Sequence, residues 1–198
     1  MADFINTIDT REDEDIFNEL VTRTIVEFKD NVIQSVGYGA FNYCYDLETI
    51  DIPNASSIGS YAFANCAKLT SINVPAAKTI SSNAFYMAKI TYINLPNVDT
   101  IGSNAFTECI NLEKVDMKTA TSVGQNAFYN SNLNTIIVRG NTVCTLRNGT
   151  IFNNTPIAEG NGYIYVPSSM VDSYKSATNW STYADQIRAI EDYPDICG

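Results

Sequence analysis

Residues 58–75 read IGSYAFANCAKLTSINVP, and this stretch decides the fold because it returns along the chain in register. Ala-Phe dipeptides place Phe41, Phe63, Phe85, Phe106 and Phe128 at spacings of 22, 22, 21 and 22, and Phe152 follows 24 later without its Ala. Self-similarity at a fixed period of this size marks a repeat architecture. Aligned on the Phe, the position five residues earlier holds Val36, Ile58, Ile80, Ile101 and Val123, followed by Gly37, Gly59, Ser81, Gly102 and Gly124. Three residues after the Phe come Cys44, Cys66, Ala88, Cys109 and Ser131. Five or six residues after it come Leu47, Leu69, Ile90, Leu112 and Leu133. Alternating pairs follow: Ile50/Ile52, Ile72/Val74, Ile93/Leu95, Val115/Met117 and Ile136/Val138, with Pro53, Pro75 and Pro96 closing the first three.

Each column has a physical reading. The L-x-x-I-x-I segment alternates with period two, which predicts a short strand with one buried face. One such strand per coil, always running the same way, predicts a parallel sheet along a solenoid. The closing Pro ends the ladder because it has no N–H to donate. The I-G step calls for a small, conformationally permissive residue where the chain turns. The N-A-F or Y-A-F that follows is expected to form a short helical or 3₁₀ turn with its Phe inside. Asn83, Asn104 and Asn126 stand where a side-chain oxygen would cap free backbone donors. The five Phe form the expected structural core, a stacked spine, since no single repeat can bury its apolar face alone.

The pattern I-G-x-x-A-F-x-x-C-x-x-L-x-x-I-x-I-P is similar to the BspA-type leucine-rich repeat, known from bacterial surface adhesins and some phage proteins. The resemblance covers residues 32–140 and continues more loosely to the end. It implies an α/β repeat solenoid: a right-handed leucine-rich-repeat coil with one short parallel strand per turn of about 22 residues, short helical or 3₁₀ turns, and a cap at each end. Copies three and five lack one residue after the Phe, and copy four puts Lys118 in place of the closing Pro. These departures touch local turn shape only.

Residues 1–31 are expected to form an acidic N-terminal cap, with Ile16, Leu20 and Val21 on one face of a short helix and an irregular strand at Thr24–Phe28. Residues 141–198 hold a degraded sixth repeat and a C-terminal cap that looks like the family's usual ending. There Tyr163–Val166 reads as a final strand stopped by Pro167, and Ser168 or Ser169 is placed to cap a helix running to about Ala177. Trp180 through Ile190 is expected to fold back over the open end of the spine.

The net charge of −10 is unevenly spread. Residues 1–30 carry nine acids and three bases, whereas residues 31–140 carry seven acids and six bases. A nearly neutral body of this kind has few cations to displace counterions from a nucleic-acid backbone, which reads against a nucleic-acid partner. No apolar run reaches membrane-spanning length, so no membrane insertion is expected. The opening MADFINTIDTREDEDIF lacks the basic start and apolar run of a signal peptide, which reads against ordinary secretion if Met1 is the native start.

The sequence contains no histidine, which removes imidazole bases, Cys-His and Ser-His-Asp nucleophile systems and His-containing metal sites. It has no P-loop, no G-x-G-x-x-G after a strand and no C-x-x-C pair. No catalytic residue, no metal site and no cofactor is therefore assigned. The odd count of five cysteines argues against a closed disulfide framework, and Cys44, Cys66 and Cys109 read as small core residues of one column. Cys197 reads as an isolated thiol, exposed if nothing covers it. The run Glu12–Asp15 lacks the spacing and glycine of a calcium loop and reads as a solvated helix start.

The candidate binding residues lie between the buried strand positions. One outward column reads Thr49, Ser71, Tyr92, Lys114 and Thr135, and the next reads Asp51, Asn73, Asn94, Asp116 and Ile137. Solenoids present such a face as an extended platform, and small polar groups around one Tyr suit a protein edge or a cell-surface glycan. The alternative is an ordinary solvated face. A second candidate is the turn after each Phe, where Tyr43, Tyr86, Met87 and Tyr129 accompany Asn42, Asn65 and Asn130. The expected role is a non-enzymatic binding or adhesion module, on a bacterial cell surface or as a phage virion component of tail, baseplate or head fibre. The open alternatives are a spacer or homo-oligomer scaffold, a virion assembly partner, and a fragment of an exported adhesin.

Overall fold

The structure, a computed structural model, describes residues 33–197 together with two short strands of the N-terminal part. Those strands are β1 (Thr7–Ile8) and β2 (Ile25–Glu27). The second falls inside the irregular strand expected at Thr24–Phe28. The acidic run Glu12–Asp15 and the helix expected around Ile16, Leu20 and Val21 lie outside the described residues.

Among the described residues each repeat contributes two strands, one more than the sequence pattern suggests. The expected L-x-x-I-x-I strands are β4 (Thr49–Asp51), β6 (Ser71–Asn73), β8 (Tyr92–Leu95), β10 (Lys114–Met117) and β12 (Thr135–Val138), and Tyr163–Val166 adds β14. The I-G column supplies β3 (Ser35–Val36), β5 (Ser57–Ile58), β7 (Thr79–Ile80), β9 (Thr100–Ile101) and β11 (Ser122–Val123), and Thr145–Leu146, ahead of Arg147, adds β13. These two-residue strands join β1 in a seven-stranded parallel sheet, β1-β3-β5-β7-β9-β11-β13. A run of two residues has no alternation to read, which is why the pattern hides it.

On the other side, β2-β4-β6 pair in parallel, and β8, β10, β12 and β14 form the start of a second ladder. The ladder breaks between β6 and β8, at the copy one residue short; there the Thr91 N–H reaches the Thr70 carbonyl at 3.4 Å. Within each ladder the register matches the sequence columns: Tyr92 lies opposite Lys114 and Lys114 opposite Thr135, while Asn94 lies opposite Asp116 and Asp116 opposite Ile137.

The core is the Phe spine. Phe41, Phe63, Phe85, Phe106, Phe128 and Phe152 are fully buried, with successive centroids 5.0, 5.3, 5.1, 5.4 and 5.8 Å apart and planes within 10° of parallel. Their backbones are laddered too. The N–H of Phe63 donates to the carbonyl of Ala84, and that of Phe85 to Ala105. Cross-coil bonds of this kind satisfy buried turn groups that would otherwise be costly.

Two columns of the turn are explained differently from expectation. Asn83, Asn104 and Asn126 have φ of 59°, 56° and 54°, the left-handed region, as do Gly39 and Tyr61 at the same position. Asn is therefore favoured there because it tolerates that backbone, and not as a helix cap. A second left-handed column lies two residues after each Phe, at Tyr43, Asn65, Met87, Glu108, Asn130 and Asn154. The Gly of the I-G step serves close packing: a Cβ on Gly124 would lie 2.4 Å from the Ser103 nitrogen, and one on Gly102 would lie 2.5 Å from that of Ser82.

The Cys column is buried, and its small donors bond Phe carbonyls. Cys66 and Cys109 donate through sulfur to Phe41 and Phe85, and Ser131 donates to Phe128. The C-terminal segment packs on the last ring of the spine. Trp180 and Tyr183 pack on Phe152 with centroids at 5.9 and 5.2 Å. The Trp180 indole N–H donates to the Cys144 carbonyl, and the Tyr183 hydroxyl donates to Gly149. A 3₁₀ turn at Ser168–Met170 leads into a helix at Val171–Ser176. Neither Ser168 nor Ser169 caps it; the Glu191 carboxylate accepts the Ser168 N–H at 2.9 Å instead. Tyr163–Val166 is not the last strand, because β15 (Ile187–Ala189) adds a parallel neighbour to β14.

Candidate functional site

The strand face splits into two halves. In the N-terminal half, Asp51, Ser71, Asn73, Tyr92 and Asn94 are exposed and Thr49 is half-buried. Alternation places them outward while Ile50, Ile72 and Ile93 point to the spine. Asn73 donates to the Asp51 carboxylate at 2.8 Å, fixing both along one column. Tyr92 is the largest side chain of this half, 44% exposed. The Lys114 ammonium lies 5.7 Å from its ring centroid, within cation–π range.

The C-terminal half is covered by the chain itself, which corrects the expectation of one continuous platform. Ile137 is 0% exposed and Asp116 8%, although both occupy outward positions. Over them lie Tyr193 and Cys197, and Ile137, Tyr165 and Cys197 form a small apolar cluster outside the spine. Cys197 is thus buried, against the reading of an exposed thiol. Asp116 takes two parallel bonds from Arg139, from Nε at 2.8 Å and from Nη2 at 2.7 Å. Lys114 donates to the Ile196 carbonyl at 2.7 Å, and Arg139 donates to that of Cys197. Thr135 is half-buried, its hydroxyl bonded to the Asn134 side chain. Arg139 and the tail escaped the sequence reading. The signal that pointed to them was Ile137, an aliphatic side chain at an outward position, continued by the aromatic pair Tyr163 and Tyr165.

The turn face carries the second candidate set. Tyr43 and Met87 are exposed, Tyr86 and Tyr129 are half-buried, and the Tyr86 hydroxyl donates toward Glu108 at 3.5 Å. Asn65 donates to Asn42 at 3.3 Å, and Tyr43 lies 5.8 Å from Tyr45, a neighbour the column reading left out. On the sheet opposite the strand face, Ser82, Ser103, Gln125 and Arg147 line an open polar groove of about 570 Å³.

Burial pushes the thiols of Cys44 and Cys144 up to about 12 and raises those of Cys66 and Cys109 further. A thiol held protonated in this way is a poor nucleophile. Among the described residues, no group of three or more Cys, Asp or Glu side chains is placed to hold a metal ion, and no helix is long and apolar enough to cross a membrane.

None of the curated protein sequences matches the chain. Among solved structures it is similar to the pneumococcal vaccine antigen PcpA, with a TM-score of 0.63 and 16% identity over 84% of this chain and 40% of that one. A leucine-rich cell surface protein of Faecalibacterium prausnitzii aligns at 18% identity over 80% of this chain and 65% of that one, with a TM-score of 0.39. A leucine-rich-repeat protein of Bacteroides ovatus aligns at 25% identity over 73% of this chain and 46% of that one, also with a TM-score of 0.39. The chain spans less than two thirds of each of these proteins. The model of the BspA-type leucine-rich-repeat region matches residues 34–158 with six copies, taking in the degraded sixth coil. With more than half its length matched in this way, the chain belongs to the BspA-type leucine-rich-repeat family.

Proposed function

We propose that this chain is a non-enzymatic adhesion module that docks a protein or a glycan of a cell surface through the N-terminal half of its strand face. The observation that carries the reading is the row Asp51, Ser71, Asn73, Tyr92 and Asn94, exposed along one face, the first three on the β4–β6 ladder and the last two at the start of the next. Such a row offers donors, acceptors and one aromatic face with little side-chain entropy to lose on binding. Family membership supports binding over catalysis, and the absence of imidazole chemistry agrees with that choice. Fold alone does not name a partner, so the site must carry the claim.

The test is direct. Purified chain and its Tyr92→Ala and Asn73→Arg variants are measured on glycan arrays and on whole bacterial and host cells. Binding that both substitutions weaken, with thermal stability unchanged, supports the strand face; binding untouched by either overturns it. Immunogold microscopy separates a cell-surface location from a virion one: label on cells supports the proposal, and label confined to phage particles overturns the cell-surface part.

A further inference from the structure

The C-terminal half of the strand face is covered by the chain's own segment 193–197. Its floor is Ile137 and Tyr165, both outward on the sheet and both buried. Tyr193 closes on Tyr165 with centroids 5.3 Å apart and planes inclined at 66°. Cys197, four residues on, inserts beside Ile137 and is 2% exposed. Two cations then read the main chain, Lys114 at the Ile196 carbonyl and Arg139 at the Cys197 carbonyl. Because Asp116 grips the Arg139 guanidinium through two parallel bonds, the remaining N–H edge is aimed by the strand face itself. A donor aimed before its partner arrives loses little freedom on binding.

Charge points the same way. Of the seated residues only Asp195 is acidic, and Glu191 and Asp192 lead into them, while Lys114 and Arg139 bond the segment's carbonyls and Arg188 stands opposite Tyr165 on the next strand. The segment's own structure is slight: Pro194–Cys197 is a single helical turn of four residues, with Pro194, Asp195 and Ile196 exposed. One turn is far below the length at which a helix holds itself together, so contacts with the seat keep it in place. Lifting it would leave Ile137 and Tyr165 side by side in water between two oriented donors, the pattern of a small interface centre.

We propose that the strip formed by Lys114, Asp116, Ile137, Arg139 and Tyr165 is an exchangeable docking site for an acidic peptide that carries an aromatic side chain four residues before a small apolar one. The protein's own segment 193–197 fills it in cis, and a segment of that chemistry on a partner protein fills it in trans. The proposal rests on the strand-face reading and names the partner class for its C-terminal half.

The experiment uses the full chain and a fluorescein-labelled peptide of residues 190–198, IEDYPDICG, under reductant. Cys197→Arg puts a large cation between Arg139 and Lys114 and expels the segment. The expected result is lost hydrogen-exchange protection at residues 193–197 and saturable capture of the peptide, against little capture by the unaltered chain. Adding Ile137→Glu weakens that capture at least about tenfold. Tyr193→Gly loosens the other end of the segment and gives the same readouts if the Arg substitution disturbs folding. A freed segment without peptide capture overturns the proposal, as does a segment that stays protected in both variants. Equal capture by the unaltered chain would place the peptide elsewhere and overturn it too. Asn73→Arg leaves peptide capture unchanged, so failure of the cell-binding reading and failure of this one are separate outcomes.

Discussion

The rings of Phe85 and Phe106 lie 5.1 Å apart and 3° from parallel, at the middle of the six stacked Phe rings of the described residues. Each ring fills the coil it belongs to and forms the floor of the next. Removing the Phe85 ring therefore opens one void bounded by two coils, which cannot collapse without breaking both ladders. Phe85→Ala is expected to cost about 3–5 kcal/mol, read as a lower urea or thermal midpoint. An unchanged midpoint would mean that the ring is not where the stacking places it.

Gly124 is tied to its neighbouring coil more tightly than to any turn. Its missing Cβ would lie 2.4 Å from the Ser103 nitrogen and 2.6 Å from the Gly102 carbonyl carbon, both backbone atoms that cannot rotate away. Gly124→Ala is expected to push the coils apart and destabilise the protein by about 1–3 kcal/mol. Gly39→Ala is a useful contrast, because its Cβ would meet nothing nearer than the Asn42 Cβ at 3.9 Å and bears only the strain of φ 62°. A larger loss at Gly39 than at Gly124 would contradict the close-packing account.

The spine was legible because Phe, Leu and the alternating Ile pairs recur at one period, and a period survives any local substitution. The strands at Thr100–Ile101 and its counterparts were not legible, since two residues carry no periodicity. The Asn column was visible at Asn83, Asn104 and Asn126, yet its cause was not. A cap and a left-handed turn both favour Asn, and only the φ values separate them. The candidate face was legible as two outward columns in correct register. Its coverage was not, because Tyr193 and Cys197 reach Ile137 across more than 50 residues of sequence with no motif to announce the contact.

Buried thiols give the fold a limit in alkali. Cys44 and Cys144 ionise near 12 in the folded chain instead of the ordinary 9.0, and Tyr174 near 12 instead of 10.0, each through desolvation. Below pH 9 both folded and unfolded chains keep these protons, so this part of the stability is complete. As pH rises from 9 toward 12 the unfolded chain ionises first and stability falls, by about 1.4 kcal/mol per thiol for each pH unit in that window. Melting temperatures under reductant are expected to hold from pH 7 to 9 and drop steeply by pH 11. Cys144→Ala should make the drop shallower, and a flat profile to pH 11 would refute the burial of these groups.

Met87 holds a left-handed backbone, φ 60°, in a column where Asn65, Asn130 and Asn154 hold the same conformation. A side chain of ordinary shape is strained there by about 1–2 kcal/mol, and Asn relieves part of that strain. Met87 is also 38% exposed, so little apolar packing is lost on replacing it. Its N–H donates to the Thr107 carbonyl at 3.0 Å, a bond that any residue but Pro retains. Met87→Asn is therefore expected to stabilise the protein by about 0.5–1 kcal/mol, seen as a higher urea midpoint, and Met87→Val to destabilise it. If Val were the better tolerated of the two, the turn after Phe85 would not be left-handed, and the shared geometry of the six coils would fail at the copy where the strand ladder breaks.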